Sequence, residues 1–148
     1  VTTNYQSYSF RQFTAIDSTT IQLTNDVSFF VYGYLKLSEI GDFNWDNFTA
    51  RPTRFLKELY LEPRFILIYE RTIFSIGLRL FGLNTYSYEQ TTKKLSTEYL
   101  SLGPIAIIDI LAWNNLKIVL RGYYEFITNT NVPDNQQASL LMQVNWNF

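Results

Sequence analysis

Ala138-Ser139-Leu140-Leu141-Met142-Gln143-Val144-Asn145-Trp146-Asn147-Phe148 closes the 148-residue sequence. Counting back in twos from Phe148 gives Trp146, Val144, Met142, Leu140 and Ala138, all apolar. The interleaved Asn147, Asn145, Gln143 and Ser139 are polar, and only Leu141 breaks the pattern. Successive side chains of a strand point to opposite faces, so this alternation predicts a β-strand with one apolar face. About ten residues also suffice for a tilted strand to cross a bilayer.

The same alternation recurs upstream. After the turn signal Asn114-Asn115, Leu116, Ile118, Leu120, Gly122, Tyr124 and Phe126 share one face, against Lys117, Val119, Arg121, Tyr123 and Glu125. Before it, Leu100, Leu102, Pro104, Ala106, Ile108 and Ile110 oppose Tyr99, Ser101, Gly103, Ile105, Ile107 and Asp109. Around Glu70-Arg71, Phe65, Leu67 and Tyr69 precede the turn and Phe74, Ile76, Leu78 and Leu80 follow it. Asn25-Asp26 opens a further run, with Val27, Phe29, Val31, Gly33, Leu35 and Leu37 on one face. In every pair one face is purely apolar, while the other mixes rings with charges of both signs. A soluble sheet turns the clean face inward. A membrane barrel turns it outward and packs the mixed face inside.

Composition narrows the chemistry. Aromatic residues make up 18% and charged residues 17%, against about 25% charged in an average protein. Cys and His are both absent, which excludes disulfides, thiol nucleophiles, Ser-His-Asp triads and histidine metal clusters. Twelve basic and thirteen acidic residues leave no field for collecting nucleic acid. No run approaches the roughly 18 apolar residues of a membrane helix. The sequence opens on Val1 without a basic or apolar leader, which reads as a processed or partial chain.

The terminal pattern resembles that of Gram-negative outer-membrane β-barrel proteins, whose last strand ends in Phe and is recognised by the barrel-assembly machinery. The resemblance covers Ala138 to Phe148 and implies an assembly signal formed by Leu140, Met142, Val144, Trp146 and Phe148. In size the chain is similar to the small eight-stranded OmpA/OmpX-type barrels. That likeness implies a non-catalytic protein in the bacterial outer membrane, with short turns periplasmic and longer loops extracellular. Its partners would be membrane lipid, lipopolysaccharide, the assembly machinery during biogenesis and other outer-membrane proteins, with no cofactor.

The expected fold is therefore all-β: a single antiparallel up-and-down transmembrane β-barrel over 1–148, with eight strands at 3–14, 18–25, 27–37, 54–70, 72–88, 96–112, 116–129 and 138–148. Longer connections are expected at 38–53, 89–95 and 130–137, with a tight link near Asp17. A competing count makes 1–24 one strand, for seven in all, and implies a partner strand from a larger barrel. Segment 51–61 fits helical as well as strand spacing. Rings beside the turns (Tyr69, Phe74, Trp113, Trp146, Phe148) would form one interfacial girdle, and Tyr34, Tyr86, Tyr88, Tyr124 and Phe126 the other.

Eight strands leave an interior just wide enough for side chains. Charges there must be paired, and the mixed faces assign Lys36, Arg64, Glu70, Arg79, Asp109, Lys117, Arg121 and Glu125, with Glu58, to an interior polar network. A narrow pore built on these charges and a soluble lipocalin-like ligand-binding barrel are the alternative functions. Glu58, Glu62 and Glu70 share a face as candidate catalytic carboxylates, but four to eight residues along a strand separate side chains by about 13–27 Å. No phosphate loop, metal motif or nucleophile elbow accompanies them.

Overall fold

Alternating β-branched and aromatic side chains between two-residue turns favour hairpins, and the chain folds as a succession of them. The computed structural model describes residues 5–89 and 92–146. It contains β1 (Tyr5–Gln22), β2 (Val27–Asn44), β3 (Thr49–Tyr69), β4 (Thr72–Glu89), β5 (Thr92–Trp113), β6 (Leu116–Asn129) and β7 (Val132–Trp146). All seven lie in one antiparallel sheet in the order β1-β2-β3-β4-β5-β6-β7, and no helix occurs among the described residues.

Seven strands replace the expected eight. Asp17 is not a link: it pairs with Gly33 in the middle of β1, which runs unbroken through the two expected segments. Segment 51–61 is strand throughout, part of β3. The long connections expected at 38–53 and 130–137 are mostly strand as well, leaving turns at 45–48 and 130–131. Residues 90 and 91, in the expected connection at 89–95, lie outside the described residues, but Thr92 onward is already β5. Both ends of the sheet therefore carry short turns, and the two ends differ in another way. Strands overshoot the apolar stretches only beyond Leu37, Leu59, Leu80 and Leu100, the end away from Glu70-Arg71.

The register places every apolar face on the same side. Phe29 pairs with Phe65, Phe65 with Ile76, Ile76 with Ala106, Ala106 with Gly122, and Gly122 with Leu140. Most of these positions are exposed: Ile76 is 65% exposed and Leu102 beside the centre 42%, while Phe29 and Gly122 are half-buried. The opposite face is covered at its centre, with Ser101 and Ile105 each at 3%. A lone sheet with nothing packed on it can cover one face only by curling, so the mixed face is concave and the apolar face convex.

Two glycines permit the curl. A side chain on Gly103 would place its Cβ 2.6 Å from the Tyr124 carbonyl carbon and 2.9 Å from Glu125 Cα, so β5 and β6 approach there more closely than any other residue allows. On Gly77 the same atom would lie 2.6 Å from Arg64 Cγ and 2.9 Å from Arg64 Cα. Glycine inside a strand commonly marks such a bend.

The edges are open. No pairing joins β1 to β7 among the described residues. Residues 11–22 of β1 are exposed on both faces, as is all of β7 apart from half-buried Ser139. Closure of the sheet into a barrel is thus not part of the described structure.

Candidate functional site

The concave face gathers the charges. Arg64 of β3 and Arg79 of β4 are its two central cations, and each faces a glycine on the next strand: Arg64 pairs with Gly77, and Arg79 with Gly103. The missing side chain at Gly103 opens a path over β5, and Arg79 Nη1 reaches Glu125 Oε1 of β6 at 3.4 Å. The Arg79 guanidinium also lies 4.9 Å from the Tyr123 ring centre and 5.8 Å from that of Tyr60. Such contacts offset part of the cost of removing a cation from water.

Tyr60 extends the network to Arg64. Its hydroxyl donates to Glu62 Oε2. Arg64 Nε lies 3.1 Å from Glu62 Oε1, a charge contact without hydrogen-bond alignment, and the Arg64 guanidinium rests 4.7 Å over the Phe30 ring. Tyr34 stacks on Tyr60 at 5.5 Å, and Tyr32 meets it edge-on at 5.8 Å. Phe30, Arg64, Glu62, Tyr60, Arg79 and Glu125 thus form one chain of contacts across β2, β3, β4 and β6. Two ion pairs flank it, Lys36–Glu58 at 3.4 Å and Lys117–Asp109 at 3.1 Å.

Of the charges assigned from sequence to the interior, Lys36, Glu58, Arg64, Arg79, Asp109, Lys117 and Glu125 therefore stand on the concave face in ion pairs. Two do not join them. Glu70 has φ 51° and is exposed, because it lies in the two-residue turn Glu70-Arg71 between the paired Tyr69 and Thr72 and so projects from the end of the sheet. Arg121 has the right parity, opposite Ile107, but it is exposed and carries no ion pair among the described residues. It lies beside edge strand β7, where nothing covers it. Tyr34, expected in an interfacial girdle, is likewise on the concave face. The carboxylates of Glu58 and Glu62 are each held by a cation of their own. No group of three or more His, Cys, Asp or Glu side chains suited to a metal comes together among the described residues.

The convex face carries the residues of the expected assembly signal. Leu140, Met142, Val144 and Trp146 form one row of β7 and are 79%, 64%, 50% and 59% exposed, while Phe148 lies outside the described residues. At the Glu70-Arg71 end, Tyr69, Trp113 and Trp146 stand exposed beside the turns. Between them runs an apolar groove of about 350 Å³, walled by Phe65, Leu67, Phe74, Ile76 and Ala106.

Comparison with protein-family models, with curated proteins and with solved structures finds no match for this chain.

Proposed function

We propose that this chain forms the wall of a bacterial outer-membrane β-barrel with a non-enzymatic structural or interaction role, as an accessory part of a larger membrane assembly. The observation that carries the reading is the shared side of the apolar faces. From β2 to β7 the register aligns them into one convex belt, largely exposed on β3, β4, β5 and β7 and mostly half-buried on β2 and β6. The ion pairs Lys36–Glu58, Arg64–Glu62, Arg79–Glu125 and Lys117–Asp109 occupy the concave side. Water would penalise that arrangement, whereas lipid favours it. Val27 to Leu37 and Leu59 to Tyr69 each rise about 33 Å along their strands. A tilt of about 40° brings this to about 25 Å across the membrane, the height of an outer-membrane apolar band. Tyr69, Trp113 and Trp146 border the belt as an interfacial girdle would.

Strand parity shapes the proposal. In an up-and-down sheet β1 and β7 run in the same direction, so pairing them directly would make a parallel seam. An all-antiparallel barrel needs an odd number of further strands between these edges. Larger barrels supply them, and the bare β7 row from Leu140 to Trp146, with Phe148, suits recognition by the assembly machinery. We assign the overshooting strand ends to the extracellular side and the Glu70-Arg71 end to the periplasm. The sequence's lack of His and Cys supports a role outside catalysis.

Expression in a Gram-negative host with a secretory leader tests this reading. The protein should fractionate with the outer membrane, resist carbonate extraction and require detergent to stay dispersed. A monodisperse, detergent-free protein in aqueous buffer would overturn it in favour of a soluble barrel.

A further inference from the structure

One cluster of charges lies on the convex face, just beyond the apolar belt at the overshooting end. The register sets Arg11 of β1 against Glu39 of β2, Glu39 against Phe55 of β3, and Tyr88 of β4 against Lys93 of β5. Arg11 Nε lies 3.6 Å from Glu39 Oε2, and the Tyr88 hydroxyl donates to Glu39 Oε1. Glu39 is thus held from both sides, and its side chain is only 17% exposed against 87% for Arg11. Lys93 reaches across β4, and its ammonium sits 3.7 Å from the centre of the Phe55 ring and 5.6 Å from that of Tyr88. No carboxylate pairs with Lys93 among the described residues. Arg11, Lys93, Glu39, Phe55, Phe13 and Leu37 line a surface hollow of about 220 Å³. Cations lie at its rim, and Phe13 and Leu37 lie on the side toward the belt.

We propose that this hollow binds the phosphate headgroup of a membrane amphiphile, with Arg11 and Lys93 donating to the phosphate oxygens and Phe13 and Leu37 meeting the first methylenes of its acyl chain. Two cations against one carboxylate leave a single positive charge, matched to a phosphodiester. Guanidinium and ammonium groups form charge-assisted hydrogen bonds with phosphate oxygens. Glu39 lies 3.6 Å from Arg11 Nε and draws that guanidinium toward the hollow. The site rests on the reading of the convex face as lipid-facing, which sets the hollow at headgroup depth.

The test uses the whole chain in dodecyl maltoside, titrated with a fluorescent phosphatidylglycerol and separately with inorganic phosphate and a fluorescent diacylglycerol. The lipid should bind saturably. Combined Arg11→Gln and Lys93→Gln substitution should weaken it at least about tenfold, since each charged hydrogen bond contributes enough for such a factor. Lys93→Arg should restore most of the binding to a Lys93→Gln protein. Unchanged affinity in the double variant, or equal affinity for diacylglycerol, overturns the site but leaves the barrel reading standing. Full competition by equimolar inorganic phosphate overturns the amphiphile as ligand in favour of a free anion. A chain that needs no detergent overturns both readings, so the two failures are distinguishable.

Discussion

Gly103→Ala should destabilise the protein by about 3 kcal/mol, the top of the usual range for overpacking, and should lower the temperature at which it unfolds on an unboiled gel. The added methyl meets backbone, not a side chain that can turn away. It would stand 2.6 Å from the Tyr124 carbonyl carbon, so β5 and β6 must part to admit it. Parting them also moves Glu125 away from Arg79, and the central ion pair weakens together with the ladder. Gly82→Ala and Gly122→Ala serve as controls. The new Cβ at Gly82 would meet Leu100 Cδ1 at 4.0 Å, and that at Gly122 would meet Leu140 Cδ1 at 3.7 Å and the Ser139 carbonyl oxygen at 3.9 Å, all ordinary van der Waals contacts. Both should be neutral or stabilising by a few tenths of a kcal/mol, since Ala suits a strand better than Gly. Equal effects at all three positions, measured by denaturant titration in detergent, would contradict the close approach of β5 and β6.

Glu125→Ala should cost about 2–3 kcal/mol. A fully buried cation stripped of its partner costs about 3–5 kcal/mol. Arg79 keeps a 31% exposed side chain and its contacts with the Tyr60 and Tyr123 rings, which reduces the penalty. Replacing both partners by apolar groups, as in Arg79→Met with Glu125→Leu, should recover most of the loss, because no orphaned charge then remains. A double variant as unstable as the sum of the singles would show that the two side chains act independently. Arg121→Ala belongs in the same series. Exposed and without an ion pair, it should stay within about 0.5 kcal/mol of the parent, although sequence parity alone groups it with Glu125.

That contrast shows what alternation can and cannot carry. Period two assigns a face, so Leu102, Ala106 and Ile108 were legible as one side of a strand and Asp109 and Glu125 as members of the other. It does not report depth under the curve of a sheet, and depth separates Glu125 from Arg121. The pattern fades where both faces meet similar surroundings. Beyond the belt, residues 38–44 and 92–95 carry polar side chains on both faces and resemble loop, yet they continue β2 and β5. Along β1, Ser, Thr and Gln interrupt either face, and Asp17 imitates a turn. The hollow at Arg11 and Lys93 was illegible for another reason. Its cations lie 82 residues apart and meet only through the register of five strands.

The absence of native Cys allows the orientation of the sheet to be measured directly. Single cysteines at Leu102, Ala106 and Ile108 sample the convex side of β5, and those at Ser101, Ile105 and Ile107 sample the concave side. Each would carry a nitroxide label in the protein reconstituted into bilayers, and collision with oxygen and with a water-soluble nickel chelate would be compared. Oxygen should reach the first three labels strongly and the nickel chelate hardly at all, with the second three protected from oxygen. Free access of the nickel chelate to Leu102, Ala106 and Ile108, or no difference between the two sets, would contradict a lipid-facing convex belt.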